Sequence, residues 1–426
     1  MLYRVTKPLA TLALKIFFRK VYFSKQARVP NDKPIILAAN HPTAFIEPCL
    51  LACFLPRSLH FLVRGDLFKK PLHRKILMAL QMVPIFRFVD GYKNLKQNHD
   101  TLEFCYQALK EDKALMILTE GTTKQTKRLR PLQKGAARIV FRCLELHMDK
   151  DIQIVPVGVN YTYADRFRSE VMISFGEPIA VRDYLSAYEE NQVKGIHLLT
   201  QDIAEGMKMQ MIHLENPADD DLLEMLLVLY RNNRTEAIFP ILDAARERLE
   251  GEMAIATAIN GWSAAEKQAV EKSCKSYFDQ LEKLNFTDQS VVHPETYHLK
   301  NAALLLLGFV FFIFGYLANY PPIALGKYVK DNKVRQLEFK ASVGITTALV
   351  ATILYYLVLF VLAAGMNEWY IYIAWLSLPL LGYGALLYLD LYERFRGARL
   401  FSNLSKTKQT DLKAQRAKLL PVHPLS

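Results

Sequence analysis

What the chain lacks removes several chemistries at the outset. It has five cysteines in 426 residues, an odd number, and no C-x-x-C pair. No histidine pair accompanies a cysteine pair at zinc-ligand spacing, so neither a zinc site nor a dithiol centre is expected, and no metal is assigned. Cys49, Cys53, Cys105, Cys143 and Cys274 sit in apolar or helical contexts, which predicts reduced, buried thiols in a reducing compartment. There is no G-x-S-x-G stretch, the elbow that presents a nucleophilic serine in α/β hydrolases. The first 25 residues lack both an unbroken apolar run and a small-residue cleavage site, which argues against a secretory leader.

What is present is positive charge and a late block of apolar sequence. The formal charge is +12, which calls for an anionic partner: phospholipid, a phosphorylated metabolite or nucleic acid. The densest basic run holds Lys124, Lys127, Arg128, Arg130, Lys134, Arg138 and Arg142. Phe141 is the one aromatic close to it, too few for base stacking, so nucleic acid is not expected. Residues 1–25 place Leu2, Val5, Leu9 and Leu12 at helical spacing among Arg4, Lys7, Lys15 and Arg19, the pattern of an amphipathic helix lying on an anionic membrane surface.

Between residues 26 and 183, short apolar runs (34–39, 59–64, 82–88, 114–118 and 152–161) alternate with helical stretches (67–80, 98–111 and 135–146). The alternation predicts an α/β domain, a central mixed sheet flanked by helices, with chemistry at strand ends. Residues 184–300 turn to charged, helix-favouring sequence broken at Asn216-Pro217 and Phe239-Pro240, a helical subdomain with no chemistry of its own. Residues 301–390 form the apolar block. Segments 342–365 and 369–389 are long enough to cross a bilayer core of about 30 Å. Segment 302–325 is expected as a hairpin turning at Pro321-Pro322. The loop at 326–340 and the tail at 391–426 are rich in lysine and arginine, which places both, and the N-terminal domain with them, on the cytoplasmic side.

One stretch stands out within the α/β region, LAANHPTAFIEPCLL at 37–51. Proline after His41 disfavours helical geometry at the histidine, so its imidazole is expected on a turn, with a helix starting at Pro42. Glu47 is then a carboxylate near the start of an otherwise apolar helix. There it suits the helix dipole and can hold an imidazole in one tautomer, so that the pair acts as a general base with its orienting acid. The other strand ends carry Arg87, then Glu120-Gly121-Thr122, and Pro156 lies within VPVGV.

Taken together the blocks NHPTAFIEP, VPIFR, LTEGTT and IVPVGV resemble, in order and spacing, the four motifs of the glycerolipid acyltransferase family over roughly residues 30–180. LRPLQKGAARIVF and the C-terminal membrane region look more like the fungal-type glycerol-3-phosphate or dihydroxyacetone-phosphate acyltransferases. Two departures accompany the resemblance. Five residues separate His41 from an acid that is Glu47, where four and an aspartate are usual. The arginine that often follows Glu-Gly-Thr is Thr123, so Lys124, Lys127 or Arg128 would have to supply its charge.

The resemblance implies a membrane-bound O-acyltransferase that takes a fatty acyl group from acyl-CoA or acyl carrier protein, with no resident cofactor. The acceptor is glycerol-3-phosphate or a related glycerol phosphate, with lysophosphatidate as the alternative. His41 would remove the proton of the attacking hydroxyl without an acyl-enzyme, oriented by Glu47. Arg87 would bind the acceptor phosphate through its planar fork. Glu120 would hold Arg87 or an acceptor hydroxyl, Gly121 and Thr122 would offer backbone N–H groups, Lys134 a phosphate contact, and Pro156 a wall of the acyl pocket. A non-catalytic membrane scaffold on the same domain is the alternative of another class, motivated by the two departures.

Overall fold

Short β-branched and aliphatic runs in the first half of the chain become the strands of one sheet, and their parallel pairing sets where the site lies. The computed structural model describes residues 2–86, 98–146, 150–234, 237–366 and 368–419. Two units are distinguished, Met1–His213 with Ile238–Leu249 and Gln336–Ser342, and Leu214–Ala237 with Glu250–Arg335 and Val343–Ser426. Residues 184–300, expected as one helical subdomain, are therefore divided between them.

The first unit opens with helix α1 (Leu2–Phe17) and strand β1 (Lys20–Ser24). The helix expected over 1–25 thus ends earlier, because Val21, Tyr22 and Phe23 favour a strand and are buried in one. There follow β2 (Ile35–Ala39), α2 (Ile46–Phe54), β3 (Leu59–Arg64), α3 (Pro71–Ala79), β4 (Met82–Ile85), α4 (Asn98–Lys110) and β5 (Ala114–Leu118). Then come α5 (Gly135–Glu145), β6 (Gln153–Tyr161), β7 (Glu170–Phe175), β8 (Ile179–Ala180), α6 (Leu185–Glu190), α7 (Gln192–Lys208), a downstream helix α8 (Asp220–Asn232) in the second unit, and β9 (Leu242–Asp243).

The strand order is β4-β3-β5-β2-β6-β7-β1-β9, with β8 on β6. Strands β4, β3, β5, β2 and β6 run parallel to their neighbours, as do β7, β1 and β9. The two parallel blocks meet at the antiparallel β6–β7 pair, so the sheet is mixed. Every residue of β2 and β6 is buried, as expected of central strands covered on both faces. Helix α5 contributes Ala136, Ile139, Val140 and Phe141 to that cover, and Phe141 stacks on Tyr188 at 4.0 Å. On α1 only Leu14 is buried, while Val5, Leu9 and Leu12 are exposed.

Burial of charge organises the far side of the same sheet. Glu170 on β7 accepts from Arg19 Nη2 at 2.7 Å and pairs with Arg248. Burial alone would raise its pKa, but the two guanidiniums override it and hold the carboxyl below its ordinary value.

The second unit is helical. Besides α8 it holds the latter part of α9 (Glu247–Gly261), α10 (Ala264–Lys283), α11 (Asp288–Val292), α12 (Leu299–Lys333), most of α13 (Leu337–Met366), α14 (Trp369–Ser402) and α15 (Lys406–Leu419). Ser263 and Glu266 close α10 with reciprocal capping bonds. Buried Asp288 accepts from Arg416 Nε at 2.7 Å and Nη2 at 3.0 Å, and from Tyr277 Oη at 2.6 Å. That fork ties α15 to α10 and α11.

Helices α12, α13 and α14 are each long and apolar enough to cross a membrane. Segment 302–325 does not form the expected hairpin: Pro321 and Pro322 lie inside the continuous α12. Asn319, just before them, donates from Nδ2 to Gly315 O at 2.8 Å and to Leu378 O at 3.0 Å, and receives Tyr356 Oη at 2.5 Å. Through Leu378 and Tyr356 these bonds tie α12 to α14 and α13. The basic tail expected from 391 is likewise structured, since α14 runs to Ser402 and α15 follows.

Candidate active site

Parallel pairing of β2 with β5, with Ala39 opposite Leu118, delivers Asn40-His41 and Thr119-Glu120-Gly121 side by side at one edge of the sheet. This is the carboxyl-end crevice where α/β sheets place ligands. Asn40 locks the end of β2 to its other neighbour. Its Nδ2 donates to Val159 O at 2.9 Å, and Val159 N–H donates to its Oδ1 at 2.8 Å. The backbone of His41 is held on both sides: its N–H donates to Glu120 Oε2 at 2.8 Å, and its carbonyl accepts from Lys124 N–H at 3.2 Å.

Helix α2 does not begin at Pro42 as expected but at Ile46, which puts Pro48 in the first turn, where a missing N–H costs nothing. Thr43 and Glu47 bracket the start. Ile46 N–H donates to Thr43 Oγ1 at 3.2 Å, and Thr43 N–H donates to Glu47 Oε1 at 2.7 Å. Buried Tyr161 donates its hydroxyl to the same oxygen at 3.2 Å. Burial and the adjacent Glu47 carboxylate push the Tyr161 phenol well above its ordinary value, so it remains a donor. With Oε1 satisfied, Oε2 faces the histidine, 3.6 Å from Nδ1. The other ring nitrogen, Nε2, lies 2.9 Å from Thr123 Oγ1. A proton on Nδ1 facing the carboxylate leaves the Nε2 lone pair to accept from a hydroxyl, the tautomer a general base requires.

The turn that carries Thr123 follows directly from β5. Gly121 has φ +71°, and a Cβ there would stand 2.7 Å from Gln133 Cγ, so glycine answers both the backbone angle and the close approach. Glu120 is nearly buried and fully engaged within the protein. Besides His41 N–H it accepts from Arg130 N–H at 2.9 Å and Arg130 Nη2 at 2.9 Å. Arg130 Nη1 also donates to Thr122 Oγ1 at 2.6 Å. The Glu120–Arg130 pair fixes the turn against the histidine. Both Glu120 oxygens thus have partners within the protein, His41 N–H and Arg130.

Residues 20–160 match the family model described as Acyltransferase. These residues form an acyltransferase domain. Glycerol-3-phosphate O-acyltransferase 1 of Saccharomyces cerevisiae is 33% identical over 86 residues, 20% of this chain and 11% of that protein. Glycerol-3-phosphate O-acyltransferase 2 of the same yeast is 23% identical over 162 residues, 37% of this chain and 21% of that protein. The matched stretches thus span about a tenth to a fifth of these curated relatives. The 1-acyl-sn-glycerophosphate acyltransferase of Thermotoga maritima is a structural neighbour with a TM-score of 0.33 and 17% identity, covering 47% of this chain and 79% of that one.

The acyltransferase domain brings together His41, Glu47, Glu120, Gly121 and Thr122, and it leaves other expected residues elsewhere. Arg87 lies outside the described residues. Lys134 is exposed just before α5 and makes no hydrogen bond or ion pair with the site among the described residues. Pro156 lies within the central strand β6. Its ring is where Cβ atoms built on Gly206 and Gly176 would fall, at 2.7 and 3.3 Å, so it packs in the sheet interior. The charge expected beside the Glu-Gly-Thr turn from Lys124, Lys127 or Arg128 comes from Arg130. Asn40, Thr43, Tyr161 and Arg130 are functional supports that sequence reasoning missed. Among the described residues no group of His, Cys, Asp and Glu is arranged to hold a metal ion. All five cysteines are free, and burial pushes the Cys105 and Cys143 thiols up to about 12.

Proposed function

We propose that this chain is a membrane-bound acyltransferase that moves a fatty acyl group from a thioester donor, acyl-CoA or acyl carrier protein, to a hydroxyl of glycerol-3-phosphate or a related glycerol phosphate. The observation that carries the reading is His41 with its two nitrogens divided between a buried carboxylate and a hydroxyl, on adjoining strand ends of an acyltransferase domain. An alcohol is a poor nucleophile, and a positioned base that takes its proton as it attacks contributes on the order of 10²- to 10⁴-fold. Both yeast relatives are glycerol-3-phosphate O-acyltransferases, which favours glycerol-3-phosphate over lysophosphatidate as acceptor.

Membrane attachment fits the substrates, since donor chain and product both partition to lipid. Three apolar helices and the exposed apolar face of α1 support it. The lysine- and arginine-rich segments between α12 and α13 and after α14 support a cytoplasmic side for both and an anionic lipid partner; a full crossing by the continuous α12 would put the catalytic domain on the opposite face. The test is acyl transfer by membranes carrying the wild-type chain or His41→Ala, assayed in parallel with glycerol-3-phosphate and lysophosphatidate. Equal activity of a folded His41→Ala chain rejects the mechanism, activity on lysophosphatidate alone reassigns the acceptor, and no transfer by the wild type to either leaves the scaffold reading.

A further inference from the structure

The carboxyl ends of the parallel strands carry His41 and its partners, and the opposite edge of the same sheet holds a second polar cavity. Ser58 and Gln81 directly precede β3 and β4, which run parallel to β5 and β2. They therefore stand at the amino-terminal edge, away from the catalytic turn. With Tyr3, Arg4 and Lys7 of α1 they line a cavity of about 360 Å³, a volume that suits a small ligand. The lining offers donors and no carboxylate. Lys7 Nζ gives one N–H to Leu55 O at 3.1 Å, which leaves two more on the ammonium. Arg4 is exposed and has no ion-pair partner among the described residues. Ser58 donates its hydroxyl to Gln81 Oε1 at 2.9 Å, so the amide nitrogen is the end of Gln81 left for a ligand. The Tyr3 hydroxyl is buried beside Ser58 and Leu59 without a hydrogen bond, and burial raises its pKa, so it stays a donor. Two cations among neutral donors select an anion.

The surrounding helices decide which anion. The β2–α2–β3 and β3–α3–β4 crossovers step the same way along the sheet, and right-handed connections then put α2 and α3 on one face. Helix α1 packs on α2, with Cys53 Sγ 3.8 Å from Lys7 O, so α1 and α3 share that side. Val5, Leu9 and Leu12 of α1 and Leu72, Ile76 and Met78 of α3 are exposed. Neither helix contains an aspartate or a glutamate, and exposed Lys69, Lys70, Arg74 and Lys75 add positive charge at α3. Basic amphipathic helices with open apolar sides belong on an anionic leaflet. We infer that the cavity is a headgroup site for an anionic membrane phospholipid, held by its phosphate between Arg4 and Lys7 while α1 and α3 rest on the leaflet around it. Phosphatidylglycerol or phosphatidate is preferred to phosphatidylcholine, because a choline ammonium meets no carboxylate in the lining. The cavity lies at the edge of the sheet opposite His41, so the lipid it holds is an anchor and not the acyl acceptor.

The inference rests on the membrane reading and is independent of the acyl transfer. The full-length chain is placed in phosphatidylcholine nanodiscs containing a sub-saturating phosphatidylglycerol with a photoreactive diazirine in its headgroup, then irradiated, digested and mapped by mass spectrometry. The expected result is labelling of the peptides holding Tyr3 to Lys7 and Ser58 or Gln81. Labelling falls about fivefold for Arg4→Gln, and again for Lys7→Gln. Lys15→Gln, which removes a charge from the same helix outside the cavity, leaves it unchanged. Melting curves that match the wild type show that each variant is folded. A phosphatidylcholine probe with the same diazirine labels these peptides weakly, and excess inorganic phosphate does not displace the phosphatidylglycerol probe. Equal labelling by the two probes, no loss with Arg4→Gln and Lys7→Gln, or an equal loss with Lys15→Gln reduces the site to diffuse surface charge and overturns it. Displacement by inorganic phosphate overturns the lipid assignment in favour of a soluble anion. A wild-type chain recovered outside the nanodiscs rejects the membrane reading itself.

Discussion

Glu47 divides its carboxylate between structure and chemistry: Oε1 accepts from Thr43 N–H at 2.7 Å and Tyr161 Oη at 3.2 Å, and Oε2 stands 3.6 Å from His41 Nδ1. The longer side chain lets a glutamate six positions after the histidine reach towards the ring from the first turn of α2. Glu47→Asp retracts the carboxylate by a methylene and is expected to lower kcat more than it lowers thermal stability. Glu47→Gln keeps the length but removes the charge that stabilises the imidazolium, and is expected to lower kcat by about 10²-fold or more on the scale of general base catalysis. Steady-state kinetics beside a melting curve separates the two, and a Glu47→Gln chain with unchanged kcat would remove Glu47 from the mechanism.

Tyr161→Phe tests the second layer. Its phenol is pushed well above its ordinary value by burial and by Glu47, so it donates throughout the working pH range. Deleting one donor to a buried carboxylate typically costs about 1–3 kcal/mol. The expected outcome is a matching loss of stability with a partial loss of kcat, read by denaturant unfolding and by assay of the same preparation.

How much of this was legible in the sequence depends on range. The five strands that end near the site follow from apolar runs bounded by turn residues, and the order of motif blocks put His41 and Glu120 on neighbouring strand ends. Strand β1 was not legible, because Lys20, paired with Asp243 at 3.3 Å, continues the basic pattern of α1. Strand β7 was missed since EVMISF shows no alternation when both faces are buried. Arg130 was one of seven cations in a run, and only the fold shows that it serves Glu120. Thr123 was visible as a departure, but its contact with His41 needs the left-handed turn at Gly121. The proline pair in α12 was read as a break, whereas the helix continues through it.

The Glu120–Arg130 pair is nearly buried, with side-chain exposures of 3% and 18%. Removing one partner of such a pair typically costs about 3–5 kcal/mol because the other charge is left stranded. Arg130→Met is therefore expected to destabilise the domain by that order and to disorder the turn holding Thr123. The double variant Arg130→Met/Glu120→Gln should recover part of the stability, since no charge is left unpaired. A double-mutant cycle on unfolding free energies measures the coupling. Additive effects would mean that the two residues act independently.

Glu170 gives the acid limit of the fold. Its carboxyl is held below the ordinary value because Arg248 and Arg19 outweigh burial. A group whose folded value is depressed binds fewer protons in the folded than in the unfolded state above that value. Its stabilisation is thus fully present above the ordinary glutamate range near pH 4.3 and is lost as pH falls through the depressed folded value. Wild-type stability should decline through this acidic window, and Glu170→Gln should be less stable at neutral pH with a flatter decline, its curve approaching the wild type at the acid end. Chemical unfolding of the full chain between neutral and acidic pH checks both the direction and the window. Parallel curves for wild type and Glu170→Gln would show that the Arg19–Glu170–Arg248 cluster contributes no linked stability, and that joining β7 to the start of β1 and of α9 depends on apolar packing alone.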